Sequence, residues 1–432
     1  MPHSTSPAAR PLYLWEKATL VVLTGVFIWF GWLTIQRAVY QDEQKSDFGV
    51  YARAAWAVRT GQDPYSVASD REWHYVYPPP FVLFVLPFAD PPKDEPRDGY
   101  LRFDVSVGIW YVLNLVLIIL AVHWLVSATV PNAILWSRRW WYARLIPFDV
   151  CLGSIGFTLS RGQTNILIVA FMAGMFVACR RNRTIAAGLW LSAAVCLKAI
   201  PAVLALYPAV RGQWRAALGC ILGCVILLGV LPAAVWGVDG AIRMNRTFVD
   251  VVLIPGSTNT GDQSRAKELT NTTATDNQSF ASVIHCMRNS DRDTRPPVAD
   301  ALTRRAHMAI GMVLLLTTAW VGWRQKSLSA ADDLILLGCF SAVMMLITPV
   351  SHMHYYVLVL PLVAGLAARG LIARPASILP DSTTMIALVL WSVFTTVPLV
   401  DEFLVLREFG MGTFATTGLW AFGLVRISRD SW

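Results

Sequence analysis

The sequence predicts an all-α, polytopic membrane protein with about twelve apolar segments. Hydrophobic residues make up 55% of the 432 positions, and charged residues only 15%, whereas soluble globular chains carry roughly 25% charged residues. Apolar runs close to the thickness of a bilayer recur along the whole chain. Eighteen tryptophans and twelve tyrosines fit this class, because these rings favour the membrane–water interface.

Short connections that are basic and nearly free of acidic residues predict the orientation of the chain. One connection contains Arg138, Arg139 and Arg144, and another contains Arg211 and Arg215. These connections fall on one side of the membrane, so we expect both termini in the cytoplasm of a plasma-membrane protein. The formal net charge of +8 therefore needs no nucleic-acid partner.

The long polar connections fall on the other side. We expect a first external loop over residues 40–104 and a large external loop over residues 237–305, within a single membrane domain that covers residues 1–432. Several apolar segments of about twelve to sixteen residues are short for a full crossing. They are predicted to be broken or partly re-entrant, which is tolerated where the backbone lines a cavity in the protein.

Polar side chains from six separate connections are predicted to meet on this external side. A charged group at membrane depth costs roughly 2.5–3.5 kcal/mol on insertion scales, so such groups persist where they are paired or useful. We therefore expect one outward-facing cavity rich in cations. The residues concerned are Asp47, Arg161, Gln163, Asn165, Lys198, Gln278, Arg288, His352 and His354.

Simpler roles are open for several of these residues. Asp47 follows Ser46 and could cap a helix over 48–59, whose apolar spacing would lay it flat on the membrane surface. Lys198 could extend its ammonium group towards the interface. His352 and His354 could suggest a metal site, but no Cys, Asp or Glu lies near them in sequence, and the seven cysteines show no metal-binding spacing. No metal is predicted.

The order and spacing of several motifs resemble glycosyltransferase family 87. One departure is that Tyr355 follows His354, where the family often has adjacent histidines, and His352 falls where the family tends to have an aromatic residue. The motifs span most of the chain and comprise Asp47 with Tyr51, Gly61-x-Asp63-Pro64-Tyr65, Tyr77-Pro78-Pro79, Gly162-Gln163-x-Asn165, Ala187-Gly188 to Leu197-Lys198, Asn277-Gln278-Ser279 and Thr348-Pro349-Val350-Ser351-x-x-His354.

This resemblance implies a GT-C type enzyme that moves a hexose, with mannose the best guess, from a polyprenyl-phosphate donor to a hydroxyl of a glycan or glycolipid acceptor. It implies Asp47 as the general base and no cofactor. The donor phosphate would be held by Lys198, His354, Arg161 and Arg288. Sugar or phosphate oxygens would be oriented by Gln163, Asn165, Gln278 and Tyr77.

Two other classes of membrane protein compete with this interpretation. A secondary transporter or lipid flippase is expected to carry ionisable residues near mid-membrane in both halves, together with internal repeats. The polar residues here are biased to one side, and the two halves do not match. A membrane acyltransferase could use the histidines and asparagines, but it would leave Asp47 and the Tyr77-Pro78-Pro79 loop unexplained.

Overall fold

A computed structural model describes residues 7–41, 46–130, 133–258, 264–325 and 327–429. Within these ranges the chain forms helices, and no strand longer than an isolated bridge occurs. The predicted all-α class is confirmed. The longer helices, in chain order, are α1 (Leu14–Tyr40), α2 (Asp47–Arg59), α3 (Phe103–Thr129), α4 (Arg138–Val150), α5 (Leu152–Arg161), α6 (Asn165–Arg180), α7 (Thr184–Leu197), α8 (Arg215–Thr258), α9 (Phe280–Arg288), α10 (Ala301–Arg324), α11 (Ala330–Leu346), α12 (Met353–Ile372), α13 (Ser382–Thr396) and α14 (Met411–Ser428).

The helices differ widely in length. Six helices in the described ranges are long and apolar enough to cross a membrane. A seventh span results if α4 and α5, which meet at a bend of 62°, are counted as one broken crossing. Because α6, α7 and the helical stretch Ile200–Val210 are apolar but shorter, the number of about twelve crossings stays a prediction.

The centre of the bundle is formed by α11 and α12. Every residue of α11 from Ala331 to Leu346 is buried, and 89% of the most apolar window of α12 is buried, compared with 11% for α1. The two central helices approach closely, since a Cβ atom on Gly338 would lie 2.2 Å from the backbone nitrogen of Leu362. Small residues allow such approaches between membrane helices.

Helix α2 is buried, which differs from the surface helix expected from its pattern. Phe48, Tyr51 and Trp56 are at most 8% exposed. Rings from the loop that follows and from α3 surround them. Trp110 of α3, for example, lies 5.4 Å from Phe48, centroid to centroid. Residues 60–102 therefore cover α2 and fix its first turn against the bundle.

Helix α8 extends further than the sequence predicted. We expected this segment to end at Val235, with a loop from residue 237. The helix instead bends at Gly237, whose φ is +72°, and continues to Thr258. The residues after the bend carry a buried apolar face at helical spacing, which includes Met244, Phe248 and Val252. That face packs inward and maintains the helix.

A tight turn after α5 docks on the start of α2. The turn contains Gly162, which has a φ of +66° and lies so close to α2 that an added Cβ would be 2.9 Å from the Cβ of Phe48. The indole nitrogen of Trp110 donates a hydrogen bond of 2.9 Å to the Gly162 carbonyl. This docking brings the next residue, Gln163, beside Asp47.

Replacement of Gly162 by alanine is expected to lower the thermal unfolding midpoint of the purified protein more than Gly61→Ala does. Both glycines have positive φ, so each substitution strains the backbone by about 1–2 kcal/mol. Only at Gly162 does the new methyl group also meet Phe48; nothing lies within 4 Å at Gly61. Equal midpoints for the two variants, measured by tryptophan fluorescence in detergent, would contradict tight docking of this turn.

Candidate active site

A cavity of about 300 Å³ lies at the start of α2. Six separate stretches of chain form its polar wall, and the end of α8 forms an apolar wall. The polar wall brings together Asp47, His74, Tyr77, Gln163, Lys198, Glu268, His352 and His354, and the apolar wall includes Phe248, Val252 and Leu253.

A chain of hydrogen bonds ends on the carboxylate of Asp47. The amide nitrogen Nε2 of Gln163 donates to Asp47 Oδ2 at 2.6 Å, and Gln163 Oε1 accepts from the Tyr77 hydroxyl at 3.4 Å. The Tyr77 hydroxyl also lies 2.9 Å from that of Tyr51. No described residue donates to the other carboxylate oxygen, Asp47 Oδ1.

The phenol groups of Tyr51 and Tyr77 stay protonated at physiological pH. Burial raises the pKa of Tyr51 well above its ordinary value. It also raises the pKa of Tyr77, although the nearby Lys198 opposes that rise. Tyr77 can therefore donate to Gln163, whose amide nitrogen then faces Asp47. This arrangement orients the Asp47 side chain.

Lys198 reaches the cavity from the end of α7. The backbone leaves the helix there in an extended conformation, with φ −156° and ψ 129°. The ammonium nitrogen Nζ lies 4.1 Å from the centroid of the Tyr355 ring and 5.7 Å from that of Tyr77. Aromatic faces stabilise a cation by roughly 0.5–2 kcal/mol without neutralising it, so the positive charge remains available to a ligand.

His354 is buried with its ring unsatisfied. The residue is 4% exposed, and neither Nδ1 nor Nε2 has a hydrogen-bond partner among the described residues. Its backbone carbonyl is fixed by Thr158 Oγ1 at 2.9 Å and by Asn165 Nδ2 at 3.2 Å. An unsatisfied buried polar group costs about 1–3 kcal/mol, so a ligand or water is expected at this ring.

A second histidine lies beside an aspartate at the cavity. His352 Nδ1 lies 3.2 Å from Asp276 Oδ1. Burial alone would raise the pKa of Asp276, but His352 and Arg161 outweigh that effect and hold its pKa well below the ordinary value. Asp276 therefore stays ionised and is the partner of His352. We had not singled out Asp276, although it immediately precedes the Asn277-Gln278-Ser279 motif.

Arg161 lies behind the cavity wall. Its guanidinium carbon is 5.0 Å from the centroid of the Phe157 ring, and its Nε is buried without a hydrogen-bond partner among the described residues. The group interacts electrostatically with Asp276 and His354. Arg161 therefore contributes positive charge near His354, although it is not part of the cavity lining.

Three predicted site residues are engaged elsewhere. Arg288 is held by Asp300, with Nη1 2.8 Å from Oδ2, and does not line the cavity. Gln278 is fully buried and donates to the Arg407 carbonyl at 2.6 Å, so its amide ties two connections together. Asn165 binds the His354 carbonyl and does not reach the cavity. None of the three lines this cavity.

Two lining residues carry chemistry that the sequence did not reveal. His74 Nδ1 lies 3.0 Å from Glu268 Oε1, which joins the Tyr77 loop to the segment after α8. Nothing in the local sequence marks either residue. Within the described ranges, no group of three or more His, Cys, Asp or Glu side chains could hold a metal ion, so no metal ligands are assigned.

Fold and cavity together define a helical membrane protein with a buried polar centre, in which the oriented Asp47 carboxylate and the Lys198 ammonium group share one cavity. The chain belongs to glycosyltransferase family 87, whose family model matches residues 75–349. That match includes Tyr77, Gln163 and Lys198. It begins after Asp47 and ends before His354.

Two curated relatives have the same description, "Polyprenol-phosphate-mannose-dependent alpha-(1-2)-phosphatidylinositol mannoside mannosyltransferase". The protein from Mycobacterium tuberculosis is 26% identical over 337 residues, which cover 75% of this chain and 69% of the relative. The protein from Mycolicibacterium smegmatis is 22% identical over 409 residues, which cover 90% of this chain and 83% of the relative.

Solved structures of ArnT from Cupriavidus metallidurans are also similar to this chain. The structure bound to undecaprenyl phosphate has a TM-score of 0.37 at 14% identity and matches 95% of this chain and 76% of that one. The apo structure has a TM-score of 0.43 at 13% identity and matches 95% of this chain and 78% of that one. Both scores are below 0.5.

Replacement of Gln163 by leucine is expected to lower the hexosyl transfer rate about 10- to 100-fold. A hydrogen bond to a charged group contributes about 1.5–3 kcal/mol, and this one orients Asp47. Tyr51→Phe is the matched control, because it removes one phenol from the chain but leaves the Gln163–Asp47 bond in place. A transfer rate in Gln163→Leu as high as that in Tyr51→Phe would show that the bond is dispensable.

Proposed function

We propose that the chain transfers a mannosyl group from a polyprenyl-phosphate donor to a hydroxyl of a glycan or glycolipid, with Asp47 as the general base. The observation that carries this proposal is the shared cavity of Asp47, Lys198 and His354. Membership of family 87 supports glycosyl transfer. The descriptions of both curated relatives support mannose and the polyprenyl phosphate.

The proposed step breaks the bond between the anomeric carbon and the phosphate oxygen and forms one between that carbon and the acceptor oxygen. The acceptor proton moves to Asp47, and the phosphate leaves with the bonding electrons. A positioned base contributes about 10²–10⁴-fold to such a reaction. The leaving phosphate is already anionic, so it needs cations and hydrogen-bond donors more than it needs a general acid.

Asp47 suits the base better than the other carboxylate in the cavity lining. Glu268 is paired with His74. The amide nitrogen of Gln163 donates a hydrogen bond to Asp47 Oδ2. The other oxygen, Oδ1, can therefore take the proton of the acceptor hydroxyl. The hydrogen-bond chain from Tyr51 through Tyr77 and Gln163 would hold the carboxylate in one orientation while the acceptor hydroxyl approaches.

The donor phosphate is assigned to Lys198 and His354, with Arg161 adding positive charge nearby. Lys198 is a point charge held against aromatic rings, and the buried His354 ring has two nitrogens that lack protein partners in the described ranges. Gln163 and Tyr77 would orient sugar oxygens. The apolar wall of α8 suits the first isoprene units, because it places Phe248, Val252 and Leu253 beside the polar centre.

The membrane sidedness is part of the proposal. The cavity lies at the end of the bundle where α1 ends and α3 begins. Arg138, Arg139 and Arg144 lie in the first two turns of α4, which follows the other end of α3. The positive-inside rule favours cytoplasmic termini and an external or periplasmic active site in the plasma membrane.

Asp47→Asn is expected to lower transfer from a labelled polyprenyl-phosphate mannose about 10²–10⁴-fold, because the amide cannot take the acceptor proton. The control is Asp98→Asn, which removes an exposed carboxylate from the same connection and should leave the rate unchanged. The assay compares the two variants with the wild type in membranes at matched expression. Full activity of Asp47→Asn would remove Asp47 from the chemistry.

Lys198→Met is expected to raise the donor KM at least about tenfold, equivalent to about 1.4 kcal/mol of lost phosphate binding. Arg288→Gln removes a cation that lies outside the cavity and forms a surface ion pair, which contributes about 0–1 kcal/mol to stability. Its donor KM should stay within about twofold of the wild type. The phosphate assignment fails if Arg288→Gln raises the KM more than Lys198→Met.

A further inference from the structure

We propose that His352, oriented by Asp276, donates a hydrogen bond to the phosphate oxygen that leaves the sugar and offsets the second negative charge that the phosphate then gains. This inference rests on the proposed function and deepens it, because it gives the donor site a residue that acts in the transition state. It concerns a position at which this chain departs from the family pattern described above.

A backbone bridge places Asp276 beside His352. Asn277 and His352 pair in an isolated antiparallel bridge. The backbone nitrogen of Gln278 donates to the Ser351 carbonyl at 2.6 Å, and the backbone nitrogen of Ser351 donates to Asn277 Oδ1 at 3.0 Å. Because these bonds already join the two connections, the Asp276 carboxylate is not needed to hold them together.

The His352 ring is buried on one side and open on the other. Its Nδ1 lies 3.2 Å from Asp276 Oδ1 and is almost inaccessible to solvent. The side chain is nevertheless 27% exposed and lines the catalytic cavity. The exposed part of the ring is therefore the part away from Asp276. A histidine whose Nδ1 faces a carboxylate can offer its other nitrogen, Nε2, to a ligand.

The two histidines of the cavity differ in their charged neighbours. Their ring centroids are 5.5 Å apart. Lys198 and Arg161 act on the His354 ring more strongly than Asp276 does, so a proton on His354 would add to a cluster of positive charge. His352 faces the ionised Asp276 carboxylate, which compensates a proton on its ring. His352 is therefore the better of the two rings to bring a full positive charge to a phosphate.

The charge of the phosphate changes during the transfer step. A polyprenyl-phosphate mannose is a phosphodiester with one negative charge. When the bond to the anomeric carbon breaks, the phosphate oxygen keeps the bonding pair, and the phosphate then has two negative charges. A hydrogen bond from His352 Nε2 strengthens as this charge develops, so it stabilises the transition state more than the bound donor. The acceptor proton still moves to Asp47, and the proton of His352 stays on its ring.

The pH dependence of the reaction reports the two groups separately. Asp47 has to be deprotonated to act as the base, so it makes activity rise with pH. His352 has to be protonated, so its deprotonation makes activity fall at higher pH. The other charged and titratable groups around His352 and Asp276 are His354 and Tyr355 at the start of α12, Lys198 after α7, Arg161 behind the wall, and the paired His74 and Glu268.

Binding of two isoprenoid phosphates to the purified full-length protein tests the contact without the transfer reaction. The probes are farnesyl phosphate, which is mainly a dianion at about pH 7 because its second pKa is about 6, and its monoanionic methyl ester. The wild type should bind the dianion at least about tenfold more tightly, and His352→Gln should reduce this ratio below about threefold. The control His74→Gln removes another paired histidine of the cavity wall and should keep the ratio.

Equal affinity of the wild type for both probes, or the same loss in His352→Gln and His74→Gln, would overturn the inference. His352→Arg tests the charge itself in a variant that keeps a cation at this position. It should keep the preference for the dianion at about pH 9, where the wild type loses most of it. An equal preference in the wild type at about pH 7 and about pH 9 would also overturn the inference.

In the transfer assay, His352→Gln is expected to lower kcat about 10- to 100-fold and to leave the donor KM within about threefold, in contrast to Lys198→Met. The fall of kcat at high pH should disappear in His352→Gln. It should move to lower pH in Asp276→Asn, because an amide does not stabilise the protonated ring. A purely structural role of the pair would leave the high-pH fall where it is in the wild type, and that result would overturn the inference.

The outcomes distinguish this inference from the proposed function. If Asp47→Asn is inactive but His352→Gln keeps the wild-type kcat and the preference for the dianion, the His352 assignment is wrong and the proposed chemistry stands. If His352→Gln loses that preference but Asp47→Asn is fully active, the phosphate contact stands and Asp47 is not the base.

Discussion

The hydrogen bond of 2.6 Å between Gln163 and Asp47 is the contact on which the site depends. It joins the turn after α5 to the first turn of α2, where Gly162 lies close against Phe48. The same docking orients the carboxylate and closes one side of the cavity. A side chain at position 162 would separate the two elements and leave Asp47 as an ordinary helix N-terminal residue.

The cations near the cavity are held mainly by aromatic rings. Lys198 lies over Tyr355, and Arg161 lies over Phe157. Ion pairs would have neutralised these charges, whereas aromatic faces stabilise a cation and leave it able to bind an anion. Tyr355 departs from the family pattern described above. Its ring packs against the Lys198 ammonium group, which gives this residue a structural role. His352 differs in that it has a carboxylate partner, Asp276.

The sequence predicted the helical class and the meeting of Asp47, Gln163, Lys198 and His354, because each lies in a polar connection at one end of apolar segments. It could not show which way a side chain turns. Gln278 and Arg288 lie in the expected region. However, the Gln278 amide donates to the Arg407 carbonyl, and the Arg288 guanidinium binds the Asp300 carboxylate. The predicted end of α8 at Val235 was also wrong, because Gly237 bends the helix and the helix continues beyond it. Long-range pairs such as His74 with Glu268 leave no local pattern.

The most direct test of the central claim is a structure of the full chain with a non-hydrolysable phosphonate analogue of a polyprenyl-phosphate mannose. We expect phosphonate oxygens within about 3.2 Å of Lys198 Nζ and of a ring nitrogen of His354, with the anomeric carbon open towards Asp47. A phosphonate bound away from both side chains, or a sugar placed so that no acceptor hydroxyl could reach Asp47 Oδ1, would contradict the claim.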